Sequence, residues 1–281
     1  MSRLRIVHRT GFEYLEPATT SYNEARMLPQ TGDEQWVLQA NLEISPVASQ
    51  HSYQDYWGTR VSTFEVLTPH TSLSVTATSV VEVRNRAIDT TDVAWDALPE
   101  LPRRSTMFVE FTRQTQLTRP PAEVRALVKR VRQQKLGVRD SAFAICRAIG
   151  EEIRYVPGVT GVHTTAADAW LAREGVCQDI AHLATGALRE AGIPARYVSG
   201  YLHPAAEPEI GQVSSGESHA WVEFYTGSWQ GFDPTNQIDI GDRHVQVGRG
   251  RDYSDVSPLR GVYAGPSSSE LFVSVEITCE A

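Results

Sequence analysis

Cys177, His219 and Asp233 are residues whose types and spacing could do chemistry together. Cys177 stands in the run EGVCQDIAHLATGALREAGIPARYVSGYL, residues 174–202, at the point where a helix begins. Ile180, Leu183, Ala184, Ala187, Leu188 and Ala191 recur at helical spacing, and Gly192 with Ile193 and Pro194 stops the pattern. Cys177 precedes Ile180 by three and Ala184 by seven, so it falls in the first turn on the inward face. The first turn carries N–H groups without intrahelical partners and the positive end of the helix dipole. A thiol in such a place ionises more readily, and its own N–H can serve an oxyanion.

A nucleophilic thiol also needs a base and a group to orient that base. His182 is five residues after Cys177, about 140° around the helix, on the polar face. It is expected at the surface or in a supporting role. His219 opens the strand His219–Phe224, and Asp233 closes its partner, Trp229–Asp233. A three-residue turn at Thr226–Ser228 pairs position 219 with 235 and 221 with 233. His219 and Asp233 are then diagonal neighbours on one face. Helix cysteine, strand histidine and strand carboxylate make a nucleophile, base and orienter. Around them, Asp179 reads as a capping or supporting residue. Gln178 reads as a surface residue with an oxyanion role as the alternative. Tyr155 either lines the site or packs in the core, and Trp221 shares the face of His219 and shields the imidazole.

Other elements must position these groups. Residues 1–85 read as β: apolar residues occupy even positions 36–44 and odd positions 73–83, the period of half-buried strands. His8, His51 and His70 read as surface or strand residues. Residues 86–118 form a connecting segment, with a strand expected at Met107–Phe111, and 119–281 form a helical and β-stranded core. Pro121 starts a helix over 122–132, Asp140 caps the next, and a short helix begins at Thr164 or Thr165 and ends at Gly175. The stretch 203–217 reads as a mobile loop, a rim or lid. Cys146 sits on an apolar helix face and reads as buried, whereas Cys279 near the end of the sequence is expected to be exposed.

Several readings are excluded or weakened. Net charge is −8, against an electrostatic grip on nucleic acid or anionic lipid. No long apolar run suggests a membrane span, and MSRLRIVHRTGFEY lacks the apolar region of a signal peptide. Three scattered cysteines fit a reducing cytoplasm. A metal hydrolase using Cys177, His182, His219 and Asp233 would want a Cys-x-x-Cys or His-Glu-x-x-His spacing, which is absent. A serine hydrolase would want Gly-x-Ser-x-Gly, which Val198-Ser-Gly200 does not supply.

The segments GVCQDIAH, GIPARYVSGY, HAWVE and GFDPTN together resemble the bacterial transglutaminase-like superfamily across roughly residues 120–240. Tyr22–Arg26 and Tyr56–Gly58 resemble the β-rich region that precedes this core, and residues 250–260 resemble the stretch that follows it. The resemblance implies an α+β fold: an N-terminal antiparallel β-sandwich-like domain, then a papain-like core with a catalytic helix packed on an antiparallel sheet. It carries the nucleophile onto Cys177, the base onto His219 and the orienter onto Asp233. It implies neither metal nor organic cofactor, and calcium dependence does not carry over. The expected activity is thiol-dependent hydrolysis or acyl transfer on peptide or glutamine-type amides of a peptide or protein substrate, with hydrolysis favoured. The competing reading is a non-catalytic binding module of the same fold.

Overall fold

The computed structural model describes residues 1–85, 89–216, 218–265 and 268–281. The expected start of the connecting segment, at 86–88, and the loop end Glu217 lie outside the described residues.

The N-terminal part supplies β1 (Ser2–Ala18), β2 (Thr20–Ala25), β3 (Gln35–Ser45), β4 (Gln50–Gln54), β5 (Arg60–Val66) and β6 (His70–Val83). In β6 the alternating Leu73, Val75, Ala77, Val81 and Val83 are all buried. In β3 the alternation breaks. A register shift between Val37 and Gln39 turns Trp36 and Leu38 outward while Leu42 stays inside. One extra residue in a strand reverses the faces of everything before it.

The connector differs from expectation. Met107–Phe111 is not a strand but most of α2 (Thr106–Thr112), preceded by α1 (Leu101–Arg104). A short apolar run is ambiguous between the two periods. Here the Ser105 hydroxyl accepts the Met107 N–H at 3.2 Å and caps a helix. Phe108 and Phe111, three apart, then meet Trp229, Tyr225 and Trp57.

The core runs α3 (Ala122–Gln133), α4 (Val138–Glu152), β7 (Arg154–Tyr155), α5 (Ala166–Ala172), β8 (Glu174–Gly175), α6 (Cys177–Glu190), β9 (Ala195–Leu202), β10 (Val213–Gly216), β11 (Ser218–Tyr225), β12 (Trp229–Asp233), β13 (Ile238–Asp239), β14 (His244–Gly250) and α7 (Tyr253–Val256). Gly137, not Asp140, takes the cap position of α4, with Asp140 inside its first turn. Thr165 and Asp168 form a capping box on α5, and Arg173 in the left-handed region ends it before Gly175 is reached.

An antiparallel sheet of order β13-β12-β11-β9-β14 backs the core. Val222, Phe224 and Phe232 on one face of it pack with Ile180, Leu183, Ala184 and Ala187 of α6 and with residues of α3, α4 and α5. The C-terminal strands β15 (Leu259–Ala264) and β16 (Ser269–Cys279) leave this sheet. β16 pairs with β1 inside the order β10-β16-β1-β6-β3, and β15 pairs with β2 at the edge of β15-β2-β5-β4. The stretch 203–217 therefore is not one continuous loop, since β10 within it pairs with β16. Cys279 is buried rather than exposed, because β16 is an interior strand.

Candidate active site

Val176, in extended conformation, is the cap residue of α6, and Cys177 is its first helical residue. A valine side chain cannot accept a hydrogen bond, so the cap comes from within the first turn. The buried Asp179 carboxylate takes the Val176 N–H at 2.9 Å and the Thr160 hydroxyl at 2.6 Å on the same oxygen. Burial raises the Asp179 pKa above the ordinary carboxylate value, against these hydrogen bonds. Asp179 thus ties the start of the helix to the loop before α5. Gln178 is half-buried and leans on the same loop, its Nε2 donating to the Gly161 carbonyl at 3.4 Å.

The Cys177 sulfur lies 3.9 Å from the Ser218 carbonyl, beside the first residues of β11. His219 follows at once. The ladder pairs Val222 with Phe232 and Tyr225 with Trp229, the register of a three-residue turn. Two histidine–carboxylate contacts result. His219 Nε2 is 2.7 Å from Asp233 Oδ2, and His244 Nε2, from the start of β14, is 3.5 Å from the same oxygen. The Asp233 backbone turn completes the set. Oδ1 accepts the N–H groups of Thr235 (2.9 Å) and Asn236 (3.1 Å), and Oδ2 accepts Asn236 Nδ2 (2.8 Å).

Electrostatics follow from this geometry. Burial by itself would raise the Asp233 pKa, but the His219 hydrogen bond, the longer His244 contact and the Asn236 hydrogen bond outweigh it and hold the carboxyl far below its ordinary value. For His219, burial lowers the pKa, while hydrogen bonds to Asp233 and to Cys177 raise it more, to about 10. With Nε2 given to Asp233, Nδ1 is the nitrogen left for the thiol. The imidazole is therefore protonated near neutral pH. Trp221 is fully buried beside His219, with centroids 6.2 Å apart, and its edge meets the His244 ring at 5.4 Å.

Two residues stand elsewhere than expected. His182 is buried, because α6 is covered on nearly all sides: 11 of its 14 residues are buried. His182 Nε2 accepts the Tyr253 N–H at 3.1 Å, its ring lies against Tyr197, and burial lowers its pKa to about 4. It fixes α7 and Tyr253 beside Cys177. Tyr155 is 44% exposed on β7 and so is not core. Asn236 and His244 were not expected at the site. Asp-Pro-Thr-Asn is the pattern of a side-chain-capped turn, which could have pointed to Asn236. No local signal marks His244, which reaches the site only through the β9–β14 pairing.

His219, Asp233 and His244 bring ligand-type atoms within 4.8 Å of one another. The tautomer argues for a hydrogen-bonded group instead of a metal centre. Gly241 N–H donates to His244 Nδ1 at 3.3 Å, so in the neutral ring Nε2 carries the hydrogen and has no lone pair to offer.

A thiol heading a helix packed on an antiparallel sheet, with an imidazole and a carboxylate supplied by that sheet, defines a papain-like α+β core. Family comparison agrees. Residues 4–82 match the bacterial transglutaminase-like N-terminal region, and residues 125–234 match the transglutaminase-like superfamily. The chain belongs to the transglutaminase-like superfamily, a family of thiol enzymes. It is 42% identical over 278 residues to an uncharacterised protein of Mycobacterium leprae, covering 99% of both chains. An uncharacterised protein of Mycobacterium tuberculosis is 33% identical over 295 residues, covering 98% of this chain and 92% of the other. A 72-residue segment, 24% of this chain, is 40% identical to 10% of a protein-glutamine gamma-glutamyltransferase of Pseudomonas aeruginosa. The crystal structure of a candidate cysteine protease from Cytophaga hutchinsonii superposes with TM-score 0.71 at 21% identity, over 99% of this chain and 97% of that one, which speaks for the fold.

Proposed function

We propose that the protein is a thiol-dependent acyl-transfer enzyme acting on peptide or glutamine-type amides, with Cys177, His219 and Asp233 as its catalytic group and hydrolysis as its favoured outcome. The observation that carries this reading is the 2.7 Å contact of His219 Nε2 with the buried Asp233 carboxylate, with the Cys177 sulfur 3.9 Å from the carbonyl of Ser218, the residue before His219. The Cys177 sulfur, its proton held by His219, attacks the amide carbonyl. Negative charge on the carbonyl oxygen faces the N–H groups of the first turn of α6. His219 then gives its proton to the departing nitrogen, and ammonia or an amine leaves a thioester on Cys177. Water, deprotonated by His219, attacks the thioester and releases a carboxylic acid; an amine in its place would give a transferred amide. Asp233 holds the imidazole in orientation and stabilises its charged form. The reading needs no metal or organic cofactor; we propose a peptide or protein substrate and a cytoplasmic location, the latter supported by three free cysteines.

The test is a mechanism-based thiol probe, followed by glutamine-containing peptides offered with and without a primary amine. Probe labelling at Cys177 with ammonia released and no amine incorporated is the expected result. Amine incorporation would make the enzyme a transferase. Absence of both labelling and turnover would make the protein a binding module of this fold.

A further inference from the structure

We propose that His244 is a positioning residue for Asp233, a second, neutral histidine that points its Nε2–H toward the carboxylate. This rests on the catalytic reading of Cys177, His219 and Asp233 and extends it to a residue outside that group.

Four observations converge. His244 is 4% exposed, so its ring is held away from water. Its Nδ1 accepts the Gly241 N–H at 3.3 Å, which fixes the neutral tautomer with hydrogen on Nε2. That Nε2 is buried, makes no hydrogen bond of ordinary geometry among the described residues, and has Asp233 Oδ2 3.5 Å away. The Trp221 edge packs on the ring at 5.4 Å and fixes its plane. The N–H···O contact is longer than an ordinary hydrogen bond, so it acts as an oriented dipole on a buried anion more than as a tight bond. The groups facing the ring are Asp233, His219 and Arg243. Burial lowers the His244 pKa and keeps the ring uncharged beside the His219 imidazolium, where a second cation would compete for Asp233.

Oδ2 already serves His219 and Asn236 Nδ2. A third donor withdraws charge from the oxygen that His219 leans on. Without it, the carboxylate becomes a stronger acceptor for the His219 Nε2–H and loses one of the groups that fix its rotation. His244 therefore tunes the strength of the His219–Asp233 bond and not only its geometry.

The experiment compares His244→Phe, which keeps the ring shape and loses the donor, with His244→Gln, which returns an N–H near the Nε2 position. The first readout needs no substrate. In the full-length protein, with histidine ring nitrogens labelled, the His219 Nε2 proton is assigned by its loss in Asp233→Asn. It should move downfield in His244→Phe and return toward the native position in His244→Gln. The second readout is turnover: kcat should fall about tenfold in His244→Phe with KM within about twofold, and His244→Gln should recover most of the loss. A resonance unmoved in His244→Phe, or moved equally in both variants at matched thermal stability, would overturn the proposal. Native protein whose His244 ring nitrogens shift on adding zinc chloride would replace it with a metal site. If the resonance responds as expected while no substrate turns over, the positioning role stands and the catalytic reading falls.

Discussion

At the scale of single residues, the contrast among the three cysteines decides reactivity. Cys177 is half-buried at the head of α6, beside the His219 imidazole, which is protonated near neutral pH. Burial pushes the Cys146 thiol well above its ordinary value, and Cys279 is buried on β16, its Sγ donating to the Ala281 carbonyl at 3.6 Å. Brief iodoacetamide treatment near neutral pH should therefore label Cys177 first, read by mass spectrometry at each cysteine. His219→Ala should slow that labelling and abolish turnover; equal rates at the three thiols would contradict the assignment. Asp233→Asn should leave the fold intact and cost about 10²–10⁴ in rate, through loss of the imidazole orientation.

The same pair predicts a pH dependence of stability. The folded His219 pKa, about 10, lies above the ordinary value of 6.5. Its contribution is fully present below the unfolded value and is lost as pH rises from about 6.5 through about 10. The Asp233 pKa is depressed, so its contribution persists through that window and is lost only in strong acid. The melting temperature of the native protein should fall across the alkaline window more than that of His219→Gln, as scanning fluorimetry in a buffer series would show. Parallel curves would mean the imidazolium–carboxylate pair does not form.

At the scale of elements, the site depends on a helix start and on a close strand approach. Asp179 supplies the cap that Val176 cannot, so Asp179→Ala should cost about 1–2 kcal/mol in urea unfolding and loosen the loop at Thr160. Gly200 on β9 lies under the indole of Trp221. A methyl there would sit 2.1 Å from the Val245 carbonyl and 2.7 Å from the ring. Gly200→Ala must therefore part β9 from β14 or push the indole toward His219 and His244. The expected cost is about 1–3 kcal/mol with a loss of activity at unchanged secondary structure, measured by circular dichroism beside a rate assay. A variant of native stability and rate would show that the strand can yield without moving Trp221.

At the scale of the whole molecule, the sheets cut across the division of the sequence. Leu4 and Ile6 of β1 and Val275 and Ile277 of β16 share one cluster with Tyr201 of β9 and Val245 of β14. His8 Nδ1 meets the Tyr201 hydroxyl at 2.9 Å across the same boundary, and that hydroxyl donates to the Met27 carbonyl. Residues 119–281 expressed alone would expose β16 without β1 and the apolar face of β14. They should aggregate, whereas the full chain should unfold in one calorimetric transition. Two resolved transitions, or a soluble and folded 119–281, would count against this coupling.

Sequence by itself determined the elements whose signals are local. The periods of two and 3.6, the Gly192 stop, the three-residue turn and the first-turn position of Cys177 all follow from neighbours in the chain. Those same local rules put His219 and Asp233 on one face, since an odd turn between two strands fixes parity. Where a pattern was short or interrupted, local reading failed. Met107–Phe111 became a helix through the Ser105 cap, and the β3 bulge turned Trp36 outward. Only tertiary structure could bury His182 under α7, seat β16 between β10 and β1, and bring His244 to Asp233 from 11 residues along the chain. Each of these depends on which segment covers which, and such long-range pairings leave no periodic trace in the residues that make them.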